Sequence, residues 1–534
     1  MPEGVVLVGL PGSGKSAVGR LLAERLGRRF FDLDAEIGRA AGRSPAEIID
    51  RDGEPAFRAL ERRALDAACA EPGSIISTGG GTPLEPLNRW LLMEHGLRVR
   101  LDAPLDRLAN RLASDSVSRP LLGADLLAGL TRTAQARSAV YRAVDVTIDA
   151  DVPIEQVAEQ VAGALGARSG GATWRPLFDT TFGRHSHFGP ETGRLMLGRG
   201  LNADAATNLL AGFDGRTPAV VADEHVLAAQ PGLAHVLPAE RRCLVAGGEG
   251  AKSFDRLRDV LGWLSEQGAE RADPLVAVGG GTIGDLGGLA AALHHRGMAL
   301  VLVPTSWLAQ ADSSIGGKVA IDLPGAKNAV GSFWMPCLIV SDTALLATLS
   351  VEQRRDGIAE VLKSALIGDP ALWQLVETRG AAALGGEDEA AVYAMTERAA
   401  RIKLEIVERD PFENDERRLL NLGHTLGHAL EVESGYALRH GTAVGLGLRA
   451  VARIADRRGA EPGLVERIDD LLRALGFPLR RQFDRGAVRA ALGTDKKRDR
   501  GRQRWILPLA IGRTEQVDDV SDAELDEALE AIAA

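Results

Sequence analysis

The chain has 534 residues, of which 45% are hydrophobic and 25% are charged, as in ordinary globular proteins. At about 150 residues per domain, this length predicts three or four compact units. A formal net charge of −10 argues against general binding to nucleic acids or membrane surfaces. Three scattered cysteines (Cys69, Cys243 and Cys337) exclude a disulfide framework and favour a cytoplasmic location. We expect neither a signal peptide nor a membrane span, because no apolar run is long enough.

Short apolar runs alternate with helical segments in the first part of the chain. The predicted strands read VVLVGL, RRFFDLD, SIISTGGG, LRVRLDA and DVTIDA. Strands that alternate with helices form parallel sheets with helices on both faces. The sequence therefore predicts an α/β domain over residues 1–164, followed by a glycine- and serine-rich linker over residues 165–180.

A glycine-rich turn joins the first strand to the first helix. The stretch GLPGSGKSAVGR matches G-x-x-x-x-G-K-[ST], with Gly9, Gly14, Lys15 and Ser16 at the fixed positions. Glycine lets the backbone aim successive N–H groups at one anion, and the helix N-terminus adds a positive dipole end. We expect Lys15 to reach the outer phosphates of a nucleotide and Ser16 to hold Mg²⁺. The expected nucleotide contacts are Gly12, Ser13, Gly14, Lys15, Ser16 and Ala17.

Charged residues downstream of this loop suit an acceptor that carries hydroxyl and carboxylate groups. Asp32 and Asp34 are two residues apart, so on an extended backbone they point in opposite directions, one towards Mg²⁺ and one towards the acceptor. Arg58 and Arg137 are candidates to clamp a carboxylate in a fork. Arg119, in SRPLL, suits the charge on a transferring phosphoryl group.

Two further features lie between these residues. Arg58 and Glu61 are three apart on the predicted helix GEPAFRALE and can pair there. The glycines of STGGGTP, Gly79 to Gly81, follow a strand, where a ligand can approach the backbone closely.

From about Gly4 to Ala164 the chain resembles shikimate kinase. The shared elements are the P-loop, D-x-D, F-R-x-x-E, T-G-G-G and R-P-L-L, in family order. The resemblance implies ATP-dependent phosphorylation of the 3-hydroxyl of shikimate. It implies shikimate contacts from Asp34, Arg58, Gly80 and Arg137, transition-state contacts from Lys15 and Arg119, and Mg²⁺ contacts from Ser16 and Asp32. Asp34 would also orient or deprotonate the attacking hydroxyl. A gluconate-type kinase is the nearest competitor, and F-R-x-x-E together with T-G-G-G argues against it.

A second α/β run begins after the linker. PAVVADEHV, CLVAGGEG and PLVAVGGGTIGD predict strands. From about Val351 the strand signals fade, and long segments rich in Ala, Leu, Arg and Glu predict helices. The sequence therefore predicts an α/β domain over residues 181–350 and a mostly helical domain over residues 351–534.

The helical part carries a cluster of possible metal ligands. In NLGHTLGHALE, His424 and His428 are four residues apart and share one helix face. His440 follows in RHGTAVG, and Glu360 in GIAEVLK is a further candidate. Three protein ligands with open positions are typical of a catalytic zinc site.

The glycine-rich segments upstream predict ligand binding more weakly. In GGGTIGDLGG, Gly279 to Gly281 follow a strand and would let a dinucleotide pyrophosphate approach the backbone, although the run is not G-x-G-x-x-G. Asp312, Lys318, Lys327 and Asn328 make the next glycine-rich segment unusually polar.

From about Arg194 to the C-terminus the chain resembles 3-dehydroquinate synthase. The shared elements, in order, are GGEGAKS, GGGTIGD, RG at Arg296, LAQADSSIGGK, GAKN, AEVLK, RRLLNLGHTLGHALE, HGTAVGLG and DKK. The resemblance implies an NAD-binding α/β domain followed by a helical metal domain. The implied substrate is 3-deoxy-arabino-heptulosonate 7-phosphate, which NAD and a metal ion help to cyclise with loss of phosphate.

The resemblance also implies roles for individual residues. Glu360, His424 and His440 would ligate Zn²⁺ or Co²⁺, which leaves His428 for acid/base work, with Glu413 as a weaker acid/base candidate. The substrate carboxylate would meet Lys403, Arg417 and Asn421. Its phosphate would meet Lys318, Asn328, Lys497 or Lys496, and Arg296 from a neighbouring subunit, which implies a dimer. Asp312 and Lys363 would contact ring hydroxyls. The NAD candidates are Asp223, Glu249, Lys252, Gly280, Gly281, Asp285, Thr305, Ser306, Lys327 and Thr348.

Several alternatives stay open at this point. Sugar-phosphate cyclases with other products share the implied fold, although Lys403, Arg417 and Asn421 suit a substrate that bears a carboxylate. An iron-dependent alcohol dehydrogenase is a more distant competitor and would need no such anion-binding set. The chain is then either a bifunctional enzyme of aromatic biosynthesis or a dehydroquinate synthase whose N-terminal part is a non-catalytic, nucleotide-binding regulatory module. Its expected partners are small-molecule substrates.

Overall fold

The computed structural model describes residues 4–113, 123, 125–142, 144–167, 175–183, 192–200, 216–323, 326–494, 498–499 and 502–534. Three predicted site residues, Arg119, Lys496 and Lys497, lie outside these ranges. The chain divides into two compact units, an N-terminal unit of residues 1–180 and a C-terminal unit of residues 181–534.

The N-terminal unit is built on a five-stranded sheet. Its strands are β1 (Gly4–Val8), β2 (Phe30–Asp32), β3 (Ile75–Ser77), β4 (Gly96–Asp102) and β5 (Val146–Asp149). They pair in the order β2-β3-β1-β4-β5, and every pairing is parallel. The five strands and the parallel sheet predicted from the alternating pattern are confirmed.

Helices cover both faces of this sheet. They are α1 (Lys15–Leu26), α2 (Leu33–Ala41), α3 (Pro45–Asp52), α4 (Glu54–Cys69), α5 (Pro86–His95), α6 (Leu105–Ala113), α7 (Leu126–Arg142) and α8 (Ile154–Ala167). Successive side chains of a strand point to opposite faces. Val5 and Leu7 of β1 are buried with residues of α1, α6, α7 and α8, whereas Val6 and Val8 are buried with residues of α2, α4 and α5. The central strand is therefore apolar at every position.

A seven-stranded sheet organises the first half of the C-terminal unit, and one of its edge strands begins at Arg175, shortly before the division at residue 180. The strands of this part are β6 (Arg175–Gly183), β7 (Thr192–Arg199), β8 (Ala219–Asp223), β9 (Arg242–Val245), β10 (Pro274–Gly279), β11 (Ala299–Pro304), β12 (Lys318–Leu323), β13 (Ala326–Phe333) and β14 (Leu338–Asp342). The sheet order is β6-β7-β14-β11-β10-β8-β9, with parallel pairing from β7 to β9. Strands β12 and β13 form a separate antiparallel hairpin.

α-Helices lie between the strands of this part and dominate the rest of the unit. Those of the described residues are α9 (Glu224–Ala229), α10 (Pro231–Val236), α11 (Phe254–Glu266), α12 (Gly281–Leu293), α13 (Val351–Gly368), α14 (Pro370–Gly385), α15 (Glu389–Arg409), α16 (His424–Glu433), α17 (His440–Arg457), α18 (Leu464–Ala474), α19 (Arg485–Thr494) and α20 (Asp522–Ile532). The change to helices at Val351 is marked by a capping box, in which Ser350 and Gln353 satisfy each other's backbone N–H groups. No helix in the described ranges is long and apolar enough to cross a membrane.

Four strands near the C-terminus were not predicted. They are β15 (Arg498–Asp499), β16 (Arg502–Gln503), β17 (Trp505–Ala510) and β18 (Arg513–Val517), paired as two antiparallel hairpins. Gly512, at φ 79°, supports the turn between β17 and β18. The short apolar run WILPLA was overlooked among helix-forming segments, although the region is mostly helical as expected.

Candidate active sites

The glycine-rich turn of the N-terminal unit has the backbone that the motif predicts. Gly9, Gly12 and Gly14 have φ values of 152°, 83° and 89°, which residues with a side chain rarely adopt. Helix α1 begins at Lys15, so its free N–H groups face the turn. The Lys15 ammonium donates to the carbonyls of Gly9 and Leu10, at 2.9 and 3.1 Å. The turn thus has the form of an anion-binding loop with its lysine folded over it.

One buried polar atom of this loop also fits a bound phosphate. The Ser13 side chain is 1% exposed, and its Oγ has no hydrogen-bond partner within the described residues. Buried hydroxyls usually have a partner, so an unmet one next to a glycine-rich loop suits a ligand oxygen. Ser16 and Ala17 lie in the first turn of α1.

The predicted acceptor residues converge on the glycine turn after β3. The Arg137 guanidinium donates to the carbonyl of Gly80 at 2.7 Å, and a Cβ on Gly80 would lie 2.6 Å from the same nitrogen. A Cβ on Gly81 would lie 2.7 Å from an Arg58 nitrogen. Both arginines therefore need glycine in this turn to reach their positions.

Asp34 reaches the same turn from α2. A Cβ on Gly79 would lie 2.8 Å from its Oδ1. Asp34 was expected on an extended backbone with Asp32, and this was wrong, because β2 ends at Asp32 and Asp34 lies in the first turn of α2. The helix starts there because the Asp32 carboxylate accepts from the backbone N–H of Ala35 at 3.3 Å, as an N-cap.

Neighbouring polar side chains fix this arrangement. The predicted pairing of Arg58 with Glu61 is present at 2.8 Å, and the other Glu61 oxygen accepts from Thr82 Oγ1 at 2.7 Å. Glu61 is 1% exposed, so it orients Arg58 from the interior. The buried Tyr141 hydroxyl donates to the carbonyl of Gly80 at 2.8 Å. The sequence analysis overlooked Tyr141, which lies four residues, one helical turn, after Arg137.

In the C-terminal unit, the predicted metal ligands meet at one end of a large cleft. Glu360 Oε1 lies 2.8 Å from His440 Nε2 and 3.3 Å from His424 Nε2. Glu360 is 1% exposed and comes from α13, whereas the histidines begin α16 and α17. The three ligand atoms lie within 4.8 Å of one another, close enough for one ion to bind all three. One carboxylate and two imidazoles fit Zn²⁺ or Co²⁺.

A second set of donors lies beside the first. His428, Glu431 and His440 also bring ligand atoms within 4.8 Å. In this set a single oxygen, Glu431 Oε1, faces both His440 Nδ1 at 3.3 Å and the Lys327 ammonium at 3.4 Å. In the first set, the Lys363 ammonium lies 2.5 Å from the other Glu360 oxygen, Oε2, so Oε1 contacts only the two histidines within this set. The first set is therefore the better metal site.

The charges of this end of the cleft are strongly coupled. Burial alone would lower the pKa of His440, but hydrogen bonds to Glu360 and Glu431 outweigh it and raise the pKa to about 10. Burial and the nearby Lys363 charge lower the pKa of His424 despite its contact with Glu360. Burial opposes ionisation of Glu360, but Lys363 and the histidines hold the pKa of its carboxyl well below the usual value.

Two buried lysines and an aspartate extend the site. Asp312 lies 3.0 Å from the Lys363 ammonium and 2.8 Å from the Lys403 ammonium. Both lysines overcome the burial of Asp312 and lower the pKa of its carboxyl to about 2. Burial lowers the pKa of Lys403 to about 8, because the Asp312 charge compensates only in part. Asp312 lies on a single π-helical turn, Ala309–Ser313, a distortion common at functional sites.

Five of the predicted anion contacts line the same cleft. It encloses about 760 Å³, and Lys318, Asn328, Lys403, Arg417 and Asn421 all line it. These residues come from β12, β13, α15 and the 3-10 helix Glu416–Asn421, so the folding of the unit brings them together.

Carboxylates and carbonyls hold these anion contacts. Glu413 bridges the set, since its Oε2 lies 2.6 Å from the Lys318 ammonium and its Oε1 accepts from Asn421 Nδ2 at 3.0 Å. The Arg417 guanidinium donates to the carbonyl of Gly316 at 2.7 Å and lies over the Phe333 ring.

The dinucleotide candidates form two groups in this unit. Gly280 and Gly281 begin α12, and a Cβ on Gly281 would lie 2.8 Å from Ser313 Oγ. A Cβ on Gly280 would lie 3.4 Å from Ser306 Oγ. Thr305 directly follows β11, and its backbone N–H donates to the carbonyl of Gly279. A helix N-terminus without side chains at its first residues fits a pyrophosphate.

The second group surrounds the β12–β13 hairpin. The Lys252 ammonium lies 2.7 Å from Asp285 and also donates to Asn328 Oδ1. Burial raises the pKa of the Asp285 carboxyl to about 6, although the Lys252 charge opposes this. Lys327 lies 3.2 Å from Glu249.

Several predicted residues do not line this cleft, among them Asp223, Thr348 and Arg296. Asp223 ends β8, where it caps α9 and crowds Gly247. Thr348 accepts from Gln230 Nε2 at 3.4 Å. Arg296 is exposed, with a left-handed backbone at φ 64°. Among the described residues, the cleft lining includes none of the three.

Comparison with known proteins finds matches in both units. Family models match as shikimate kinase over residues 11–165, as 3-dehydroquinate synthase N-terminal over 242–356, and as 3-dehydroquinate synthase C-terminal over 357–498. The chain is similar to 3-dehydroquinate synthase of Xanthomonas campestris pv. campestris (strain 8004), at 43% identity over 297 residues, 54% of this chain and 80% of the relative. It is also similar to that of Caulobacter vibrioides (strain NA1000 / CB15N), at 36% identity over 393 residues, 72% of this chain and 94% of the relative.

A solved structure resembles the C-terminal part. It is ValA, a 2-epi-5-epi-valiolone synthase from Streptomyces hygroscopicus subsp. jinggangensis 5008 with NAD+ and Zn2+ bound. The identity is 28% and the TM-score 0.59, over 65% of this chain and 98% of that chain. The architecture is thus shared with a cyclase that has another product.

Proposed function

The chain belongs to the 3-dehydroquinate synthase family and carries an N-terminal shikimate kinase domain, and from this premise we propose the reactions of its two sites. The N-terminal unit phosphorylates shikimate with ATP. The C-terminal unit converts 3-deoxy-arabino-heptulosonate 7-phosphate to 3-dehydroquinate and phosphate. Both reactions belong to the shikimate pathway of aromatic amino acid biosynthesis.

The kinase proposal is carried by the convergence of Asp34, Arg58 and Arg137 on the glycine turn after β3. Two guanidinium groups and one carboxylate suit a polyol acid, since the arginines can bind its carboxylate and Asp34 can orient a hydroxyl. The loop before α1 would hold the ATP phosphates, with Lys15 near the transferred charge and Ser16 and Asp32 on the Mg²⁺ side. We extend the transition-state role to Arg119 from the family motif R-P-L-L alone.

The synthase proposal is carried by one observation. The metal donors His424 and His440 line the same cleft as a set of anion-binding side chains, and the buried Glu360 contacts both histidines. When bound, NAD would accept and later return a hydride, and the metal ion would polarise the neighbouring substrate hydroxyl. His428 would move a proton beside the leaving phosphate.

The side chains of the cleft would hold the two anionic ends of the substrate apart. Lys403, Arg417 and Asn421 would bind the carboxylate. Lys318 and Asn328 would bind the phosphate, joined by Lys496 or Lys497, and Glu413 would assist proton transfer. Asp312 and Lys363 would contact the ring hydroxyls. The NAD contacts would come from the glycine turn before α12 and from Lys252, Lys327 and the carboxylates paired with them.

The carboxylate contacts distinguish this cyclase from one with a neutral product. Lys403 and Arg417 are 7% and 1% exposed, so each cation is buried in the wall of the cleft. Lys403 is paired with Asp312, but the Arg417 guanidinium donates to backbone carbonyls and its Nε has no hydrogen-bond partner among the described residues. A buried cation is costly unless an anion meets it, and a substrate carboxylate would supply that anion to Arg417. This supports 3-deoxy-arabino-heptulosonate 7-phosphate over a sugar phosphate that lacks a carboxylate.

Paired assays on the purified full chain test the proposal. We expect ATP-dependent phosphorylation of shikimate, and phosphate release from 3-deoxy-arabino-heptulosonate 7-phosphate that requires NAD and a divalent metal. Phosphate release from a heptulose 7-phosphate without the carboxylate should be slower by a factor of about 100 or more, as expected when buried polar groups lose their partner. Equal rates with both sugars would contradict the substrate assignment, and no shikimate phosphorylation would contradict a catalytic N-terminal unit.

The domain limits and the assembly are also proposals. We place the kinase domain at residues 1–164, the linker at 165–180, the NAD-binding domain at 181–350 and the helical domain at 351–534. A polypeptide of residues 1–167, which includes all of α8, should fold and phosphorylate shikimate.

We propose a homodimer in which the exposed Arg296 of one subunit completes the phosphate site of the other. Mixing inactive Arg296→Ala and Glu360→Ala chains should then restore part of the synthase activity. The three free cysteines support a cytoplasmic location.

A further inference from the structure

Glu431 lies on the same face of α16 as the two histidines of that helix. His424, His428 and Glu431 are spaced at i, i+4 and i+7, which places them along one stripe of the helix. Glu431 is the last residue of the motif NLGHTLGHALE, but its spacing alone indicates no role for it. Its side chain is 2% exposed, so it is a carboxylate in the protein interior.

The contact of Glu431 with His440 fixes one ring nitrogen. Glu431 Oε1 lies 3.3 Å from His440 Nδ1, while His440 Nε2 faces Glu360 on the other side of the ring. An ionised carboxylate only accepts hydrogen bonds, so Nδ1 must keep its proton and donate to Glu431. The lone pair available to a metal ion is then that of Nε2. Carboxylates that hold a histidine ligand in this way orient the ring and make it a better donor.

The same oxygen of Glu431 also contacts Lys327, one of the predicted dinucleotide-binding residues. The Lys327 ammonium lies 3.4 Å from Glu431 Oε1 and 3.2 Å from Glu249, and it packs over the Tyr436 ring. Lys327 therefore shares with His440 the negative charge of one oxygen. A cation this close weakens the electrostatic support that Glu431 gives to His440.

A purely structural role explains these contacts poorly. Glu431 Oε2 is buried and has no hydrogen-bond partner among the described residues. A carboxylate half-satisfied in the interior costs stability, and such groups persist chiefly where function needs them. Glu431 also lines the cleft together with His440 and Lys327.

We propose that Glu431 is a positioning residue that holds His440 for the metal ion and links it to Lys327, so that metal binding and dinucleotide binding are coupled. Dinucleotide phosphates would draw the Lys327 ammonium away from Glu431, which would then support His440 with its full charge. Glu431 is not itself a metal ligand in this proposal, because it acts through the ring of His440. The coupling rests on the proposed binding of NAD near Lys327.

The first experiment measures Zn²⁺ affinity without dinucleotide, by competition with a chelator on the full chain. The variants are Glu431→Gln, which keeps the shape of the side chain, and Glu431→Ala. Glu433→Gln is the matched control, because Glu433 lies on the same helix and pairs with Arg481 at 2.9 Å instead. Thermal unfolding of each metal-free variant checks that it is folded.

We expect the two Glu431 variants to weaken Zn²⁺ binding by roughly 10- to 100-fold, the usual effect of removing a partner of a ligating histidine. The control should bind Zn²⁺ as the unchanged chain does. With Co²⁺ in place of Zn²⁺, the visible spectrum of Glu431→Gln should keep its band positions, because the ligands are the same. Control-like affinity in the Glu431 variants would overturn the proposal. A changed Co²⁺ spectrum would overturn it as well, because Glu431 would then be a ligand itself.

The second experiment repeats the Zn²⁺ measurement with saturating NAD⁺. The unchanged chain should bind Zn²⁺ about fivefold or more tightly with NAD⁺ present, a typical size for coupling between sites. Lys327→Met and Glu431→Gln should each lose this gain. Coupling that persists in Glu431→Gln would overturn the proposal. An unchanged chain that binds no NAD⁺ would contradict both the proposed function and the coupling, whereas the first experiment decides the His440 contact independently.

Discussion

His424 and His428 are one helical turn apart, yet we expect only His424 to bind the metal ion. His424 Nε2 lies 3.3 Å from Glu360 Oε1, and both belong to the set of donors that can share one ion with His440. His428 contributes no atom to that set. Its ring centre lies 5.3 Å from that of His424 and 6.4 Å from that of His440. The perturbations are therefore His424→Ala and His428→Ala.

The expected magnitude follows from the number of ligands. Structural four-ligand zinc sites bind with about 10–16 kcal/mol, or roughly 2.5–4 kcal/mol for each ligand. At 1.4 kcal/mol per tenfold change, loss of His424 should weaken Zn²⁺ binding by roughly 10²- to 10³-fold. His428→Ala should change it by less than about tenfold, the lower limit for residues outside the ligand set. Its synthase rate should nevertheless fall by about 100-fold or more, as expected for a lost proton-transfer group.

Metal content after dialysis and chelator competition measure the two affinities, and phosphate release measures the synthase rate. Shikimate phosphorylation in both variants is the internal control, because neither histidine belongs to the N-terminal unit. If His428→Ala loses its zinc while His424→Ala keeps it, the ion is bound by His428, Glu431 and His440. The assignment of Glu360 would then be wrong as well.

Three further predictions concern the two units separately. Lys15→Met should lower shikimate phosphorylation by about 100-fold or more, because Lys15 would stabilise the transferred charge, and should leave phosphate release by the synthase unchanged; full kinase activity would contradict the loop assignment. The pKa of Lys403 is lowered to about 8, so its ammonium is charged below pH 8 and neutral above. The KM of the heptulosonate substrate should therefore rise as pH increases through 8, whereas Lys403→Arg, which stays charged, should show no such rise. Gly441→Ala would place a Cβ 2.5 Å from Asp356 Cα, so α17 must move away from α13. This should cost about 1–3 kcal/mol of unfolding free energy in a thermal or urea titration and weaken Zn²⁺ binding; wild-type values of both would contradict the packing argument.

The sequence predicts those parts of the site that depend on local spacing. A strand, a glycine-rich turn and a helix in succession predict the loop at Lys15, because each element is specified by neighbouring residues. The spacing of His424 and His428 predicts a shared helix face for the same reason. The five strands of the N-terminal unit follow from apolar runs bounded by turns.

The parts that were missed depend on packing between distant segments. The contact of Glu431 with His440 arises only because α16 and α17 pack together, and nothing in the spacing of the two residues indicates which ring nitrogen is held. Asp34 was expected on a strand, because Asp32, a residue type that favours the N-cap position, was assigned to the interior of the strand RRFFDLD. The π-helical turn that carries Asp312 has no local signature, and the contacts of that carboxylate with Lys363 and Lys403 join segments far apart in the sequence.

Two lysines of the synthase cleft are held by carboxylates, and we expect these ion pairs to affect which substrates bind. Lys318 faces Glu413, and Lys403 faces Asp312, at 2.6 and 2.8 Å. Each pair avoids the cost of an isolated buried charge when no substrate is bound. If Lys318 and Lys403 bind the substrate as proposed, an anionic substrate would bind by exchange, replacing the carboxylate partner of a lysine, so the gain would be the difference between two ion pairs and not the full value of one. A sugar phosphate without a carboxylate would make the exchange at Lys318 but not at Lys403, where the pair with Asp312 would persist. Selectivity for the acid would then come from a contact that the wrong substrate fails to replace.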